Sequence, residues 1–379
     1  MAYELSPLQQ QVRDLARDFA RRYLAPKAAE IDRQSRFPKE TIQELGRLQF
    51  MGLAYPEEWG GAGLDSVSEA LVVEEVSYAC AATASILTAH YLGIDGIFLH
   101  GSPAQKEGYL APACRGEKLA AFCLTEPDAG SDVASGSASA VRDGDGWVLN
   151  GTKHFISNAA DADFLVAYVM TDRSRGSRGM SAFIVDQGAP GLRIAPPDLK
   201  LGIRAASTHR VVFDNCRVPG DHLVGAEGSG FKIAMQVLDR GRIGIAAMGV
   251  GIAQAALDAA VGYAKSRQVF GAPLADHQGI AWMIAEMAAD VEVARLVALN
   301  AAEARDRGVR ISKEAAVAKL FTSEAAHRVV HKALQIHGGL GYMQDLPLER
   351  YYRDQRILEI FEGTSQVQKM VIARAVLGS

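Results

Sequence analysis

The feature that most constrains the fold is a change of texture along the chain, from helical to β-prone and back to helical. Residues 1–117 carry apolar side chains at helical spacing, residues 118–228 alternate short β-prone runs with turn residues, and residues 229–379 return to long helical runs. We therefore expect an α+β protein of three domains: an N-terminal helical domain, a central β-sandwich or partly open barrel, and a C-terminal four-helix bundle. A chain of 379 residues, 49% of them hydrophobic, is large enough for more than one core.

Three segments of the N-terminal region are typical of helix starts. Ser6–Gln9, Ser66–Glu69 and Ser102–Gln105 each place a serine three residues before Glu or Gln, a spacing at which both side chains cap backbone N–H groups. Proline at the second position of the first and third segments favours the first helical turn. Beyond the first start, one helical face is predicted to contain Leu8, Val12, Leu15 and Phe19.

The central region combines β-prone runs with turn signals, which predicts an all-β domain. The sequence Asp-Gly-Asp-Gly at 143–146 indicates a hairpin immediately before Trp147. The predicted strands are Ala120–Leu124, Trp147–Leu149, Phe164–Met170, Ser181–Val185 and Arg210–Phe213.

Long helical runs dominate the last part of the chain, and long helices with short connections are typical of a four-helix bundle. The runs lie near 231–266, 276–307, 312–337 and 364–377. Glycines inside the first run weaken an isolated helix but allow neighbouring helices to approach closely. These glycines are Gly241, Gly244, Gly249 and Gly251.

Composition and charge exclude several classes of partner. The net charge of −4 provides no cationic field for nucleic acid. The four cysteines have neither a C-x-x-C spacing nor a histidine at metal-ligand spacing, so we expect buried thiols in a reducing compartment and no metal site. The N-terminus lacks the basic and apolar segments of a signal peptide, and we find no uninterrupted apolar segment long enough to span a bilayer. We expect a soluble cytoplasmic protein of a bacterium.

One short stretch near the C-terminus, Phe361–Gln366, carries the strongest chemical signal. It is predicted to be a turn between two helices, because Gly363 accepts positive φ and the hydroxyl of Thr364 or Ser365 caps the following helix. Glu362 would then lie on the turn beside apolar neighbours. Such surroundings disfavour the charged carboxylate and raise its pKa toward the range of a general base.

Two stretches of the β region fit a flat, phosphate-bearing cofactor. The chain has no G-x-G-x-x-G after a strand, so a Rossmann dinucleotide site is unsupported. In Phe122–Asp132 a strand leads into a loop of Pro, Gly, Ser and Asp. In Lys153–Asn158, Phe155 and Ser157 are two residues apart, which places an aromatic ring and a hydroxyl on one strand face.

The turn Glu362-Gly363-Thr364-Ser365 and the long hydrophobic helix after it resemble the catalytic turn of the acyl-CoA dehydrogenases, and the resemblance extends over almost the whole chain. In that family the glutamate removes the α-proton of an acyl thioester. The resemblance implies FAD as cofactor, contacted by Phe122, Leu124, Thr125, Phe155, Ser157, Thr364 and Gln366. The family usually has Trp and Thr where this chain has Phe155 and Ser157, and both replacements keep the required chemistry. Ser131, Phe361 and Gly363 are implied on the substrate side.

The C-terminal bundle carries the remaining resemblances. Family residues that bind the FAD of a neighbouring subunit match Arg267, Phe270, Gln278, Gln335, Gly338 and Gly339. This match implies a homotetramer built as a dimer of dimers, although the glycines would equally suit a helix C-cap. Asp239 and Arg242 match residues that hold the CoA portion, and their spacing of three would equally suit a surface ion pair.

The resemblance implies FAD-dependent dehydrogenation of an acyl-CoA to the trans-2-enoyl-CoA, with Glu362 as base and electron-transfer flavoprotein as acceptor. The stretch Met235–Ala246 is most similar to short-chain and short-branched-chain members, and Gly241 would leave room for a methyl branch. A diacid substrate is disfavoured because Ala79–Thr88 contains no cation. We predict butyryl-CoA or a C4–C5 branched acyl-CoA as the best substrate. Alternatives are an acyl-CoA oxidase or other flavoenzyme on the same fold, and a catalytically silent assembly or binding protein.

Overall fold

The N-terminal part of the computed structural model, which describes residues 3–378, consists of helices. The outer limits of the first and last predicted domains, and the first two residues of the N-terminal stretch that we examined for a signal peptide, lie outside the described residues. Helix α1 continues through a π-helical segment, Ala20–Leu24, into α2. The helices are α1 (Pro7–Phe19), α2 (Ala25–Gln34), α3 (Lys39–Arg47), α4 (Ser66–Ala79), α5 (Ala81–His100), α6 (Pro103–Gln105) and α7 (Ala111–Cys114).

Two of the three predicted helix caps are confirmed. Ser6 and Ser102 each form a complete capping box with the glutamine three residues later. The third prediction is wrong by one residue, because the Asp65 carboxylate, and not Ser66, accepts from the backbone of Ser68 at 2.7 Å. The predicted shared face of α1 is only partly correct. Its buried side is formed by Val12, Ala16 and Phe19, whereas Leu8 and Leu15 are 53% and 48% exposed.

The central part of the chain folds into one eight-stranded sheet. Its strands are β1 (Ala120–Cys123), β2 (Ser139–Asp143), β3 (Gly146–Ser157), β4 (Phe164–Met170), β5 (Met180–Asp186), β6 (Leu192–Pro197), β7 (Thr208–Val218) and β8 (Leu223–Val224). They run in the order β6-β7-β3-β2-β4-β5-β8, and β1 pairs with β4 in parallel. The predicted hairpin is confirmed by the pairing of Asp143 with Gly146. Strands β2 and β6 were not predicted because polar residues and two prolines weaken their β-prone pattern.

Helix α5 lies against the sheet and fixes its position relative to the helices. The buried ring of His90 accepts the N–H of Ala120 at 3.1 Å, and the buried Asn158 side chain donates to the carbonyl of Ile86 at 3.0 Å. Each hydrogen bond joins a side chain of one segment to a backbone group of the other. The start of β1 and the end of β3 are therefore held against the same helix, α5.

The C-terminal part contains the predicted long helices and a short hairpin. The helices are α8 (Gly230–Ser266), α9 (Gln278–Asp306), α10 (Ser312–His337), α11 (Leu348–Gln355) and α12 (Ser365–Leu377), and the hairpin strands are β9 (Gln268–Val269) and β10 (Ala272–Pro273). Helix α8 packs against α4, α5, α9 and α10. Glycines make this possible, since a Cβ on Gly251 would lie 2.1 Å from the Ser77 hydroxyl of α4. The three-part α+β architecture is confirmed.

Two helices, α5 and α8, are long and apolar enough to cross a membrane by length and composition alone. Both helices contain polar residues, among them Asp95 in α5 and Asp258 in α8, so neither is an uninterrupted apolar segment of the kind that we looked for in the sequence. In α5, 83% of the apolar window is buried within the protein, and in α8 78% is buried. Packing in the protein core accounts for the hydropathy of both helices.

Candidate active site

The turn formed by Glu362–Thr364, which we call the Glu362 turn, lies before α12. It follows α11 and a 3-10 turn, Arg356–Glu359, that extends α11. Glu362 and Gly363 both have left-handed backbone conformations, with φ of 52° and 92°. Only the glycine was predicted to do so. A left-handed backbone at a glutamate strains the folded state by about 1 kcal/mol or more. The Thr364 hydroxyl accepts the N–H of Val367 at 3.2 Å, so Thr364, and not Ser365, caps α12.

Two buried side chains hold the carbonyl groups of the Glu362 turn. The Lys319 ammonium of α10 donates to the carbonyl of Gly363 at 2.7 Å. The Gln368 amide of α12 donates to the same carbonyl at 2.9 Å and to the carbonyl of Glu362 at 3.2 Å. Both side chains are fully buried. These hydrogen bonds oppose the backbone strain and fix the direction in which the Glu362 side chain leaves the turn.

The carboxyl group of Glu362 lies between α5 and α8. A Cβ built on Gly241 would lie 2.6 Å from Glu362 Oε2 and 2.5 Å from Leu92 Cδ2. Gly241 is therefore required by the position of the carboxyl group. The space that we expected Gly241 to leave for a methyl branch is filled by Glu362 and Leu92. Oε2 itself is buried, and within residues 3–378 it has no hydrogen-bond partner.

Burial raises the pKa of Glu362 to about 8, as the sequence predicted in direction. The positive charges of Lys319 and Arg242 oppose this shift, and Asp95 adds to it. Arg242 donates to Asp239 at 2.6 Å, and its side chain is almost fully buried. The ion pair left open by the sequence therefore exists, but it lies in the interior beside Glu362 and not on the surface.

The five residues predicted to contact FAD from the sheet lie at the ends of β1 and β3. Phe155 is 62% exposed, and its ring stacks on His154 with the centroids 3.9 Å apart. It has φ of 59° and sits where the β3–β7 register shifts between Lys153 and Ile156. The simple alternation that we used to place Phe155 and Ser157 on one face is therefore interrupted by a bulge.

A buried ion pair fixes these two strand ends to each other. The Lys153 ammonium donates to Glu126 and to the carbonyl of Leu124, both at 2.8 Å. Glu126 also accepts from the backbone N–H groups of Ser137 and Ala138. An exposed aromatic face held beside an anchored strand end fits a flat cofactor such as a flavin. Thr125 is half-buried in the same place, and Phe122 contacts Tyr168 with ring centroids 5.0 Å apart.

The remaining predicted residues lie mostly on the surface. The segment Arg267–Gln278, which we call the hairpin arm, exposes Arg267 and Gln278, and Phe270 is 99% exposed. Gln335, Gly338 and Gly339 are exposed at the end of α10, where Gly338 has φ of 59° and forms the C-cap. Ser131 and Gln366 are also exposed, while Phe361 is half-buried beside Glu362.

Two residues that hold the site, Lys319 and Gln368, were absent from the sequence prediction. Lys319 occupies the buried face of α10 together with Ala315, Ala318 and Thr322. A lysine on a face of small apolar residues is a signal that could have identified it, because lysine is rarely buried without a partner. Gln368 follows Thr364 by one helical turn, and this spacing alone does not distinguish it from a surface glutamine.

Comparison with known proteins covers the whole chain. Sequence models of the N-terminal, middle and C-terminal domains of acyl-CoA dehydrogenases match residues 6–117, 121–216 and 228–377. The short-chain specific acyl-CoA dehydrogenase of Mus musculus mitochondria is 47% identical over 379 residues, covering 99% of this chain and 92% of the relative. Butyryl-CoA dehydrogenase from Megasphaera elsdenii has a similar structure, with a TM-score of 0.98, 41% identity and complete coverage of both chains.

A second solved structure extends this similarity. A chain in the structure of the electron transferring flavoprotein of Acidaminococcus fermentans is 43% identical, with a TM-score of 0.99 over the full length of both chains. Three matched domains and relatives well above 30% identity establish the relationship. The chain belongs to the acyl-CoA dehydrogenase family, whose members are FAD-binding oxidoreductases.

Proposed function

We propose that this enzyme dehydrogenates a short-chain acyl-CoA, preferably butyryl-CoA, and that Glu362 is the base that removes the α-proton. The observation that supports this role is the Glu362 carboxyl group, whose Oε2 is buried and unpartnered within the described chain. A carboxyl group of raised pKa with a free oxygen binds a proton more tightly than an exposed one does. A surface glutamate beside a helix cap would have neither a raised pKa nor a buried oxygen without a partner.

The reaction removes two hydrogens from adjacent carbons. Glu362 takes the α-hydrogen as a proton, and the electron pair left on Cα forms the double bond as the β-hydrogen departs with its own electron pair. FAD, when bound, supplies the acceptor for that hydride. The Glu362 N–H makes no hydrogen bond within residues 3–378, whereas the preceding N–H, that of Phe361, donates to the carbonyl of Ile357 at 3.0 Å. We assign it as a donor to the thioester oxygen as negative charge develops there.

The contacts between α5 and α8 support a short acyl chain. One turn beyond Leu92 and Gly241, a Cβ on Gly244 would lie 3.1 Å from Thr88 Cγ2. Thr88 is fully enclosed, and its hydroxyl donates to the carbonyl of Ser85 at 3.2 Å. The two helices are therefore in contact at Gly241 and again about one turn, or about 5.4 Å, further along at Gly244, which leaves little length between them for an acyl chain. The similarity to short-chain and butyryl-CoA dehydrogenases supports the same length.

The cofactor site and the electron acceptor complete the proposal. We assign Phe155 to stacking on the flavin ring and Thr125 and Ser157 to hydrogen bonds with it. The ring is exposed, and the ends of β1 and β3 are adjacent, since the N–H of His154 donates to the carbonyl of Thr125 at 2.8 Å. Arg267 and the rest of the hairpin arm would contact the FAD of a second subunit in a homotetramer. Electron-transfer flavoprotein is the proposed acceptor, supported by the similarity to a chain in the structure of such a flavoprotein.

The Glu362→Gln variant tests the assignment of the base. The amide keeps the shape of the side chain, so the variant should fold and retain FAD. Anaerobic flavin reduction by butyryl-CoA should fall by at least about 10²-fold, as expected for the loss of a positioned base. A variant that reduces its flavin at nearly the wild-type rate would exclude Glu362 as the base.

A panel of acyl-CoAs separates the proposed function from its alternatives. Anaerobic bleaching of the wild-type flavin should have the highest kcat/KM with butyryl-CoA. A preference for palmitoyl-CoA would exclude the proposed chain length. Rapid turnover under air without an added acceptor would identify an oxidase, and a protein with FAD bound but no bleaching by any acyl-CoA would indicate an assembly or binding protein.

A further inference from the structure

Lys319 is a buried cation whose hydrogen-bond acceptor is a neutral carbonyl group. Its side chain is fully buried on α10, and its ammonium donates to Gly363 at 2.7 Å. Burying an ammonium group is unfavourable unless a negative charge compensates it, and buried lysines are normally paired with carboxylates. Within residues 3–378, Lys319 forms no ion pair of that kind at short range. The compensating charge must therefore come from a carboxylate slightly farther away.

The charged groups around Lys319 identify that carboxylate as Glu362. Burial lowers the pKa of Lys319 to about 8, the negative charges of Glu362 and Glu359 oppose this shift, and the positive charge of Arg242 adds to it. Glu359 lies on the 3-10 turn and already pairs with Arg356 at 3.4 Å. The charge of Arg242 is compensated by Asp239 at 2.6 Å. Lys319 and Glu362 are thus left without direct ion-pair partners, and the ammonium of Lys319 contacts the residue that follows Glu362.

The surroundings of Glu362 give the same pairing from the other side. Lys319 faces it from α10, Arg242 from α8 and Asp95 from α5. Asp95 is itself paired with Arg240 at 2.7 Å and accepts the hydroxyl of Tyr55. Lys319 is therefore the cation whose charge is most available to Glu362.

We propose that Lys319 is a positioning residue for proton abstraction, which fixes the Glu362 turn through the Gly363 carbonyl and supplies a positive charge that favours the ionised form of Glu362. This inference rests on the proposed role of Glu362 as base. Gln368 gives a matched comparison, because it donates to the same Gly363 carbonyl at 2.9 Å but carries no charge. Loss of Gln368 removes positioning alone, whereas loss of Lys319 removes positioning and charge together.

The test compares Lys319→Met with Gln368→Leu in FAD-loaded protein, using single-turnover flavin reduction by butyryl-CoA between pH 6 and pH 10. An opposite charge nearby typically changes a carboxyl pKa by one unit or more. For Lys319→Met, the rise of the rate with pH should therefore move upward by about one unit. Because positioning is lost as well, the rate should be lower than in the wild type at every pH. The additional loss that comes from the missing charge should be about tenfold at pH 7 and should largely disappear above pH 9.5. Gln368→Leu should lower the rate by the same factor at every pH, because it removes positioning and leaves the charge of Lys319 in place.

Two outcomes would overturn the inference. One is a Lys319→Met variant whose rate rises at the wild-type pH, and the other is a Gln368→Leu variant that shifts the profile as much as Lys319→Met does. If Lys319→Met does not retain FAD, Lys319→Arg takes its place, since it keeps the charge and should keep the wild-type profile. An upward shift in Lys319→Arg would equally contradict the role of the charge. Failure of the Glu362 assignment is recognised separately, by normal flavin reduction in Glu362→Gln.

Discussion

The Glu362 turn and the hairpin arm differ in how much of their surroundings one chain supplies. In the turn, Lys319 and Gln368 place three hydrogen bonds on two adjacent carbonyl groups, and the Glu362 carboxyl fits against Gly241 and Leu92. In the arm, Arg267, Phe270 and Gln278 present their side chains to solvent. Folding of one chain is therefore enough to build the proposed proton-abstracting group. The arm has the charge and the aromatic surface of a binding segment, but its ligand must come from outside the chain.

This difference has a consequence for mutations. A change at the turn meets close packing, so its effect is transmitted directly to the carboxyl group and should appear in the chemical step. A change at the arm meets solvent in the single chain, so its effect should appear in cofactor binding and assembly. The predictions below test this division, beginning with the largest expected effect.

Gly241→Ala should disturb the Glu362 turn most strongly, although it replaces no charged residue. The new Cβ would lie 2.6 Å from Oε2 and 2.5 Å from Leu92, so the carboxyl group has to move. A displacement of about 1 Å from the reacting position typically costs about 10²-fold in rate. Single-turnover flavin reduction by butyryl-CoA should fall by about this factor, while FAD content stays normal.

A matched control lies on the same helix. A Cβ on Gly262 of α8 meets no atom within 4 Å, so Gly262→Ala should leave flavin reduction unchanged and improve helix propensity slightly. If Gly241→Ala reduced its flavin as fast as Gly262→Ala, the close contact with Glu362 would have no functional meaning.

Arg267→Ala tests the hairpin arm. Loss of a charge-assisted hydrogen bond to a phosphate group costs about 1.5 kcal/mol or more, so FAD should bind about tenfold more weakly, and the oligomer should dissociate at higher protein concentration than the wild type does. Lys265→Ala is the matched control. It removes an exposed cation from the last turn of α8, just before the arm, and should change neither FAD binding nor assembly. Full FAD occupancy in a monomeric Arg267→Ala protein would show that the arm does not contact the flavin of a partner.

Thr88→Ala should have the smallest effect, on substrate length alone. Removing the side-chain methyl group and hydroxyl opens the contact with Gly244, and each buried methylene is worth about 0.8 kcal/mol, or about fourfold. The ratio of kcat/KM for hexanoyl-CoA to that for butyryl-CoA should rise by about fourfold. Thr88→Val keeps the side-chain volume and should leave the ratio unchanged. An equal rise in both variants would mean that this contact does not close the acyl pocket.

Much of the fold was predictable because its signals are local. The helix caps at Ser6 and Ser102, the hairpin at 143–146 and the long C-terminal helices depend on residues close together in the chain. The Glu362 turn was predictable for the same reason, since Gly363 and Thr364 determine it. Burial of a strand on both faces also gave a clear signal in β4, every residue of which is buried.

The remaining features depend on contacts between distant segments. Lys319 and Glu362 are far apart in sequence, and only the packing of α10 against the turn places an ammonium group beneath Gly363. The bulge at Phe155 follows from its pairing with β7, which no pattern within β3 reveals. The role of Gly241 also required the structure, because a glycine in a helix does not indicate which side chain occupies the space it leaves.

The most direct test of a base built within one chain is the pH dependence of single-turnover flavin reduction by butyryl-CoA in the wild-type protein. The base acts only when ionised, so the rate must rise with pH through the pKa of Glu362. Burial raises that pKa to about 8, and the rate should therefore still be rising well above pH 6. A rate that reaches its plateau near pH 5, as expected for an exposed carboxyl group, would contradict the account.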